Sequence, residues 1–330
     1  MPDFEKINGV AAASIEKIDG VSLSSIESVN GINAPAGSGY SNAYSLTVDG
    51  VDDWFEITFQ SDPFDKDNGT VLFWIKVEDT TANTSTKWFF EAYDESNKTD
   101  GRIGMQFFNT SGSNVFALNG LYVDEISQGS FGSRFCAAKT KSTHHGKPWN
   151  RIASDYGDFD SASDTIYNAN NLKGGWHMLA MTWNTSETYT DPTDSTSYTG
   201  TMKLYIDGVL VNFGQGSYTN HNTTATAVGL NGVPSTTVFD KINIGNRNNN
   251  NNEVDALIDE FAVWNTDLSA AQIRNLWNGG NGGVLYTTES GLNMTAHYRF
   301  ENNANSSLTG GGPTGTLNGN ATYQNTDLWP

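Results

Sequence analysis

Apolar and polar residues alternate along most of the chain from residue 40 onward. SLTVDG, DDWFEITF and RIGMQFFN have the two-residue period of half-buried strands, and clusters of Gly, Asn and Asp separate them. GTVLFWIKV (69 to 77) is almost wholly apolar, as expected for a strand buried on both faces. Short strand-like runs with turn residues between them predict an all-β protein.

Strand-like segments continue along the rest of the chain. It covers KWFFEAYD, NVFALNG, GWHMLAMTW, MKLYIDGVLV, KINIGNRN and ALIDEFAVWN. Asp207-Gly208 predicts a hairpin turn. A helix is predicted after Asn265, capped by Thr266 or Asp267 and ended by Gly279-Gly280. MTAHYRFENN (294 to 303) is predicted to be a last strand that returns beside the first one.

The N-terminal segment has a different pattern, an 11-residue repeat. Three copies run from residue 4 to 36: FEKINGVAAAS, IEKIDGVSLSS and IESVNGINAPA. The spacing is compatible with a helical supercoil, but an Asn-Gly or Asp-Gly pair in every copy opposes a continuous helix. The repeat therefore predicts units of short strand, turn and short strand. The recurring apolar positions are Phe4, Ile7, Val10, Ile15, Ile18, Val21, Ile26, Val29 and Ile32.

A single repeat of this size cannot bury its apolar residues alone, so the copies must stack on one another or on a partner. We interpret residues 1 to 36 as an arm that anchors the protein or joins copies into a homo-oligomer. The alternative is a flexible leader with accidental similarity. Residues 37 to 330 are predicted to form one domain, with a long insertion at about 122 to 174, where more than 50 residues separate two strands.

The order of the segments resembles the laminin-G-like and pentraxin-like branch of the concanavalin A-like lectin and glucanase superfamily. The resemblance rests on SLTVDGVDDWFEI, GTVLFWIKV, GWHMLAMTWN, MKLYIDGVLV, INIGN, IDEFAVWNTDLSAAQIRNLW and AHYRFENN in that order. It implies a two-sheet antiparallel jelly-roll sandwich with one short helix near the C-terminus. The arm resembles the leaders of tailed-phage structural proteins.

Composition excludes several classes of protein. The formal net charge of −19 argues against a nucleic-acid partner, because phosphate binding needs a basic surface. Cys136 is the only cysteine, so no intrachain disulfide can form. The first 30 residues lack the continuous apolar run of a signal peptide or membrane helix. We therefore expect that the protein does not insert into a membrane. If it acts outside the cell, we expect it to leave by another export route or inside an assembled particle.

Catalytic carboxylates in the expected arrangement are missing. The resemblance implies that a β-glucan-cleaving member would carry alternating acids along one strand, because the two carboxyl groups must flank one bond about 5 Å apart. Glu253-Val-Asp255 begins this spacing, but Ala256-Leu257-Ile258 follows. We therefore predict that the protein is not an enzyme.

Calcium is the predicted cofactor, in a structural role. The resemblance implies a Ca²⁺ ion bound by Asp259 on the late Ile-Asp-Glu strand, together with Asp49, Asp52 and Asp53 of an early turn. The alternative is that these aspartates are solvated or hydrogen-bonded. A second acidic cluster, Asp155 to Asp164, lacks the glycine of an EF-hand loop and is interpreted as a solvated loop.

Residues 134 to 151 contain five of the chain's 18 basic residues and no acid. Aromatic rings stack on sugars and cations bind acidic groups, so this segment is a candidate ligand surface. The alternative is an ordinary insertion that pairs with neighbouring acids. A zinc site at the adjacent histidines is disfavoured, because further ligands are lacking. The candidate ligand-binding residues are Arg134, His144, His145, Lys147, Trp149 and Arg151.

These features together favour a virion display protein of a tailed phage. The arm would dock onto other virion proteins, and the sandwich would project and bind host-surface or environmental glycans. The first alternative is a bacterial surface or secreted carbohydrate-binding module, located outside the cell. The second alternative is a glycan-cleaving enzyme with an unrecognised site.

Overall fold

The structure, a computed structural model, describes residues 42–78, 87–96, 102–109, 116–120, 135–136, 175–190, 197–214, 237–247, 252–277, 292–308 and 311–328, together with six two-residue strands in the arm. The strands in chain order are β1 Lys6–Ile7, β2 Val10–Ala11, β3 Lys17–Ile18, β4 Val21–Ser22, β5 Ser28–Val29, β6 Ile32–Asn33, β7 Ser45–Asp49, β8 Trp54–Thr58, β9 Asn68–Val77, β10 Lys87–Tyr93, β11 Arg102–Asn109, β12 Phe116–Gly120, β13 Phe135–Cys136, β14 Trp176–Thr190, β15 Ser197–Ile206, β16 Val209–Gly214, β17 Lys241–Ile244, β18 Asp255–Trp264, β19 Met294–Tyr298, β20 Thr316–Asn318 and β21 Thr322–Gln324. The helix among the described residues is α1, Ala270–Trp277.

The arm consists of three separate hairpins with the same register. Ile7 pairs with Val10 in the first hairpin, and the equivalent apolar residues pair in the second and third. In the sequence, an Asn-Gly or Asp-Gly pair separates the two strands of each hairpin, and both residue types accept positive φ. The predicted strand, turn and strand units are confirmed. Phe4, Ile15 and Ile26 lie outside the described residues.

Two antiparallel sheets form the sandwich. Sheet 1 has seven strands in the order β13-β12-β11-β10-β17-β8-β20. Sheet 2 has the order β16-β15-β14-β9-β18-β7-β21, and β19 pairs with β18 off this path. The first half of β18 pairs with β7, and its second half pairs with β19. The predicted two-sheet jelly-roll sandwich with a short helix is confirmed.

The main core lies between the two sheets. Apolar side chains of β7, β8, β9, β10, β17 and β18 point into it, since alternate strand residues face the same side. Phe261 of β18 lies at its centre: its ring centroid is 6.1 Å from that of Phe73 and 5.4 Å from that of Phe90. β9 is buried over almost its whole length, as its apolar sequence predicted.

A second apolar layer covers the other face of sheet 2. Trp74, Tyr205 and Trp264 pack there with Ile273 and Leu276 of α1. This layer explains the double-sided burial of β9, because sheet 2 lies between the main core and the helix.

The helix begins later than the sequence predicted. The N-cap is Ser269 rather than Thr266 or Asp267: the Gln272 backbone N–H donates to Ser269 Oγ, and the Ser269 N–H donates to Gln272 Oε1. This reciprocal pair is a capping box. The predicted end at Gly279-Gly280 lies outside the described residues.

Three other expectations differ from the structure. β14 continues to Thr190 and β15 begins at Ser197, so both strands are longer than GWHMLAMTW and MKLYIDGVLV predicted, with irregular pairing between Asn184 and Thr188. The strand at 294 to 298 pairs with β18, and β21 is the late strand that lies beside β7. The short strands β20 and β21 were not predicted, because TLN and TYQ are too short to show an alternation.

Candidate functional site

The turn between β7 and β8, residues 49 to 53, brings three carboxylates together. We call it the rim turn, and Asp49, Asp52 and Asp53 the rim carboxylates. Gly50 has φ of 76°, Asp49 Oδ1 accepts the Val51 N–H, and Asp53 Oδ2 accepts the Asp49 N–H. These local bonds close the turn, so that one oxygen from each carboxylate lies within 4.8 Å of the others.

A second turn, between β20 and β21, packs against the rim turn. The Asn320 N–H donates to Asp53 Oδ1 at 2.6 Å, and Asn320 Nδ2 donates to Asp49 Oδ2 at 3.2 Å. Gly319 has φ of 65°, and a Cβ there would lie 2.2 Å from the Asp52 carbonyl oxygen. Asn320 was not predicted. The Asn-Gly-Asn sequence marks a turn, but nothing in it indicates which turn it meets.

Burial raises the pKa of Asp53, and the hydrogen bonds from the Asn320 and Asp49 backbones partly oppose this rise. The neighbouring Asp49 and Asp52 charges raise it further. A cation placed among the rim carboxylates would reverse this effect, because it stabilises the charged form of all three.

The rim carboxylates fit a calcium ion. Ca²⁺ binds oxygen ligands at about 2.3–2.6 Å, so two ligands of one ion can lie up to about 5 Å apart. The observed limit of 4.8 Å satisfies this condition. Oxygen donors without sulfur or imidazole suit a hard cation such as Ca²⁺ rather than Zn²⁺.

Asp259, the fourth predicted calcium ligand, lies apart from this cluster. It is buried on β18 opposite Trp74 of β9, and its Oδ1 accepts the Glu260 N–H. The β18 residue that pairs with Asp49 is Asp255, about 13 Å earlier along the strand at the usual rise per residue. The structure therefore brings together three of the four predicted ligands.

Glu260, next to Asp259, is at the centre of a buried charged network that the sequence analysis did not identify. Its exposed fraction is 0%, its φ is 50°, and β18 is irregular against β9 at this point. Its Oε2 lies 2.6 Å from His297 Nε2, and its Oε1 accepts a hydrogen bond from Arg299 Nε at 3.1 Å. The sequence feature that could have indicated this network is the pair of consecutive acids, Asp259-Glu260, inside an otherwise apolar strand.

The network continues to the start of the sandwich. Arg299 also donates to Glu301, and the Glu301 carboxylate accepts the Ala43 N–H at 3.0 Å. Burial raises the pKa of Glu301, whereas the Ala43 hydrogen bond and the Arg299 charge lower it. Through Arg299 and Glu301, the network joins Ala43 to Glu260 of β18 and to the segment that follows β19.

The predicted ligand surface at Arg134, His144, His145, Lys147, Trp149 and Arg151 lies outside the described residues, as does the acidic cluster from residue 155 to 164. Of the predicted insertion 122 to 174, the described part is β13, which pairs with β12 at the edge of sheet 1.

Comparison with known proteins gives similarity of fold only. A SAP-like pentraxin from Limulus polyphemus is 13% identical, with a TM-score of 0.39 over 73% of this chain and 84% of that chain. A Bacteroides ovatus protein described as a putative carbohydrate binding protein is 12% identical, with a TM-score of 0.46 over 92% of this chain and 67% of that chain. Domains LG4–5 of the mouse laminin α1 chain are 12% identical, with a TM-score of 0.36 over 71% of this chain and 44% of that chain.

No protein-family model matches the chain, and no curated protein sequence matches it. At such low identity the similar structures assign neither a family nor an activity to this chain. Within the described residues, no helix is long and apolar enough to span a membrane.

Proposed function

We propose that this protein is a non-catalytic, lectin-like binding module whose sandwich binds glycans and whose rim turn holds a structural Ca²⁺ ion. The rim carboxylates support this proposal: three carboxylate oxygens converge within 4.8 Å at one edge of a jelly-roll sandwich, and the carboxylates of Asp49 and Asp53 accept backbone hydrogen bonds. A bound ion would link the β7–β8 turn more firmly to the β20–β21 turn.

Binding is favoured over catalysis because the buried acid of β18 is already engaged. Glu260 contacts His297 and Arg299 with its two oxygens and has no exposed surface, so it cannot reach a substrate. The alternation of acids that begins with Glu253-Val-Asp255 also stops at Leu257, so this strand does not carry the row of acids expected of a β-glucan-cleaving site.

The calcium part of the proposal is tested by thermal unfolding of the full chain with added Ca²⁺ and with a chelator. We expect Ca²⁺ to raise the Tm, because an ion that binds only the folded state stabilises it. Asp52→Asn should abolish this rise, since Asp52 is an exposed rim carboxylate. Asp67→Asn removes an exposed carboxylate outside the cluster and should leave the rise intact. An equal rise in both variants would contradict the assignment.

The glycan part is tested by electrophoresis of the full chain through gels that contain one polysaccharide each: laminarin, arabinan, galactomannan, dextran or alginate. We expect at least one of them to retard the protein, with no release of reducing ends. Normal migration in every gel would overturn glycan binding. Release of reducing ends would overturn the non-catalytic assignment.

A second candidate function is display on a larger assembly, such as a tailed-phage particle. It is favoured by the three hairpins of the arm, which repeat one register and place an apolar pair beside each turn. Such units need a surface to cover their apolar residues. Deletion of residues 1 to 36 should abolish incorporation into particles, and incorporation of the deleted form would contradict docking by the arm.

A further inference from the structure

Residues 325–328, which follow β21, lie over the outer face of sheet 2. The residues on either side of Lys76 in β9 belong to the main core, so the Lys76 side chain points to the opposite side of the sheet. There the Asp327 carboxylate forms an ion pair with Lys76 Nζ, and Trp176 Nε1 donates to the Asp327 carbonyl oxygen at 2.9 Å. We call residues 325–328 the cover segment.

A row of side chains lies beneath the cover segment. Strands β7 and β18 separate β21 from β9 in sheet 2, so the segment passes over both of them on its way to Lys76. This path explains why Leu257 of β18 is only 7% exposed, although its side chain points away from the main core. The row crosses five strands over about 19 Å, which is four strand spacings. We call the residues that pair across the sheet here the sheet-2 row: Trp176, Lys76, Leu257, Thr47 and Thr322.

The cover segment is attached loosely. The Asp327 side chain is 50% exposed, and an ion pair that is open to water contributes little to stability. Asp327 also has φ of 57°, which is unfavourable for a residue with a side chain. The backbone and hydroxyl of Thr326 donate to Gln324, two residues earlier, rather than to the strands beneath. Because residues 325–327 are exposed, the segment can leave the sheet without disturbing the main core.

Lys76 needs an acidic partner in this position. Its side chain is 13% exposed, and burial lowers its pKa, but the hydrogen bond to Asp327 and the nearby charge of Glu78 raise the pKa overall. The ammonium is therefore charged, and Glu78 Oε1 lies 3.5 Å from it. A ligand that displaces Asp327 has to supply a carboxylate in its place, because a neutral group compensates a mostly buried charge less well.

The other side chains of the sheet-2 row suit a sugar. The Trp176 ring packs against the second apolar layer and is partly exposed, so its Nε1 hydrogen can be donated to an acceptor that replaces the Asp327 carbonyl. Within the described residues, Thr47 Oγ1 has no hydrogen-bond partner, and a sugar hydroxyl would supply one. Thr322 is exposed, so lifting of the cover segment opens the row from that edge of the sheet.

We propose that the sheet-2 row binds an acidic saccharide and that the cover segment occupies this site until the ligand displaces it. A uronate carboxylate pairs with Lys76, a ring or hydroxyl oxygen accepts the Trp176 N–H, and the sugar chain runs toward Thr322. Asp327 makes the same two contacts from within the protein. This proposal rests on the proposed glycan-binding function and identifies its site and its class of ligand.

The test measures the affinity of the full chain for oligosaccharides of alginate, a polymer of uronic acids, by isothermal titration at about 0.15 M salt. Charges more than about 8 Å apart are largely screened there, so the net charge of the chain does not mask the site. Lys76→Gln should weaken binding about tenfold, because it removes the cation that binds the carboxylate. Lys241→Gln is the matched control. Lys241 also forms a partly exposed ion pair but lies on sheet 1, so this variant should bind as the wild type does.

A second pair of variants tests the cover segment. Asp327→Asn removes the charge that competes with the ligand and keeps a side chain that tolerates positive φ, so it should tighten alginate binding about threefold. Asp67→Asn removes an exposed carboxylate at the opposite end of β9 and controls for the change in net charge. Equal affinities of these two variants would show that the segment does not cover the site.

The outcomes separate the site from the function. If alginate binds the wild type and a folded Lys76→Gln variant equally well, the sheet-2 row is not the site and glycan binding elsewhere stands. If only neutral polysaccharides retard the wild type in the five gels, the acidic class is wrong. If no gel retards the wild type, both proposals fail. The Tm of each variant is measured in parallel, and if Lys76→Gln does not fold, the comparison of Asp327→Asn with Asp67→Asn decides.

Discussion

Glu260 combines a left-handed backbone conformation with a fully buried charge. Both features are unfavourable alone, since a residue with a side chain rarely adopts φ near 50° and a buried carboxylate needs partners. His297 and Arg299 supply those partners, and the bulge in β18 directs the side chain toward them. The residue therefore holds β18, β19 and the start of the sandwich in one arrangement.

Glu260→Gln should lower the free energy of unfolding by about 2 kcal/mol, because it removes the charge from the hydrogen bonds that Glu260 makes with His297 and with the partly exposed Arg299. Urea unfolding at neutral pH measures the change. Glu95→Gln removes an exposed carboxylate and should change stability by less than about 0.5 kcal/mol. Equal stability of both variants would show that the network contributes nothing to folding.

Gly319 and Gly311 form a natural pair for testing the packing of the rim. Both have positive φ, but a Cβ at Gly319 would lie 2.2 Å from the Asp52 carbonyl oxygen, whereas nothing lies within 4 Å of one at Gly311. Gly311→Ala should cost about 1 kcal/mol from backbone strain alone. Gly319→Ala should cost at least about 1 kcal/mol more. Similar losses for the two variants in urea unfolding would contradict close packing of the two turns.

At the level of elements, α1 is held by its cap and by its apolar face. The hydrophobic side chains Ile273 and Leu276 cover sheet 2, while the reciprocal Ser269–Gln272 hydrogen bonds cap the N-terminus of the helix. The sequence located this helix but placed its cap too early, because Thr266, Asp267 and Ser269 are all residues that favour an N-cap. Packing of Leu268 against sheet 2 decides among them.

Ser269→Ala should destabilise the protein by about 1 kcal/mol, the usual cost of losing an N-cap. Thr266→Ala tests the position that the sequence predicted, and it should have the smaller effect on urea unfolding. A larger loss for Thr266→Ala would place the functional cap at the earlier residue.

At the scale of the whole molecule, the described residues include three carboxyl groups whose pKa is raised by burial: Asp53, Asp62 and Glu301. The folded state therefore holds protons that the unfolded state has lost. Stability attributable to these groups is present at low pH and is lost as the pH rises through their folded pKa values. Repulsion among the many acidic groups also lowers the stability of the folded state as the pH rises and these groups become charged.

In a chelator, the free energy of unfolding should thus be higher at pH 4 than at pH 7, because the raised carboxyl groups lose their protons above the ordinary pKa values of about 4. Urea unfolding at constant ionic strength measures it. Asp62→Asn should reduce the difference, since it removes one of the groups that titrate. Added Ca²⁺ should also reduce it, because the ion favours ionised Asp53. Constant or falling stability on acidification would contradict the assigned pKa directions.

Most of the strands could be predicted from sequence, because alternation along β7 to β12 is a local property. The hairpins of the arm were predictable for the same reason, since Asn-Gly and Asp-Gly define a turn within four residues. Strands β20 and β21 have three residues each, and their position depends on pairing with β8 and β7, far away in the chain. Asp49, Asp52 and Asp53 come together in the rim turn because they are close in sequence, whereas including Asp259 required a contact between distant parts of the chain that the structure does not make. Calcium itself stays a prediction.

The sequence by itself determined most of the strands, the main turn signals, and that three rim carboxylates share one turn, because these follow from side chains close together along the chain. Only the tertiary structure decided that Asn320 meets Asp53 across 267 residues, that Glu260 rather than Asp259 carries the buried network, and that Asp327 meets Lys76 across 251 residues. Those contacts depend on strand order and register, which are set by the packing of both sheets around one core.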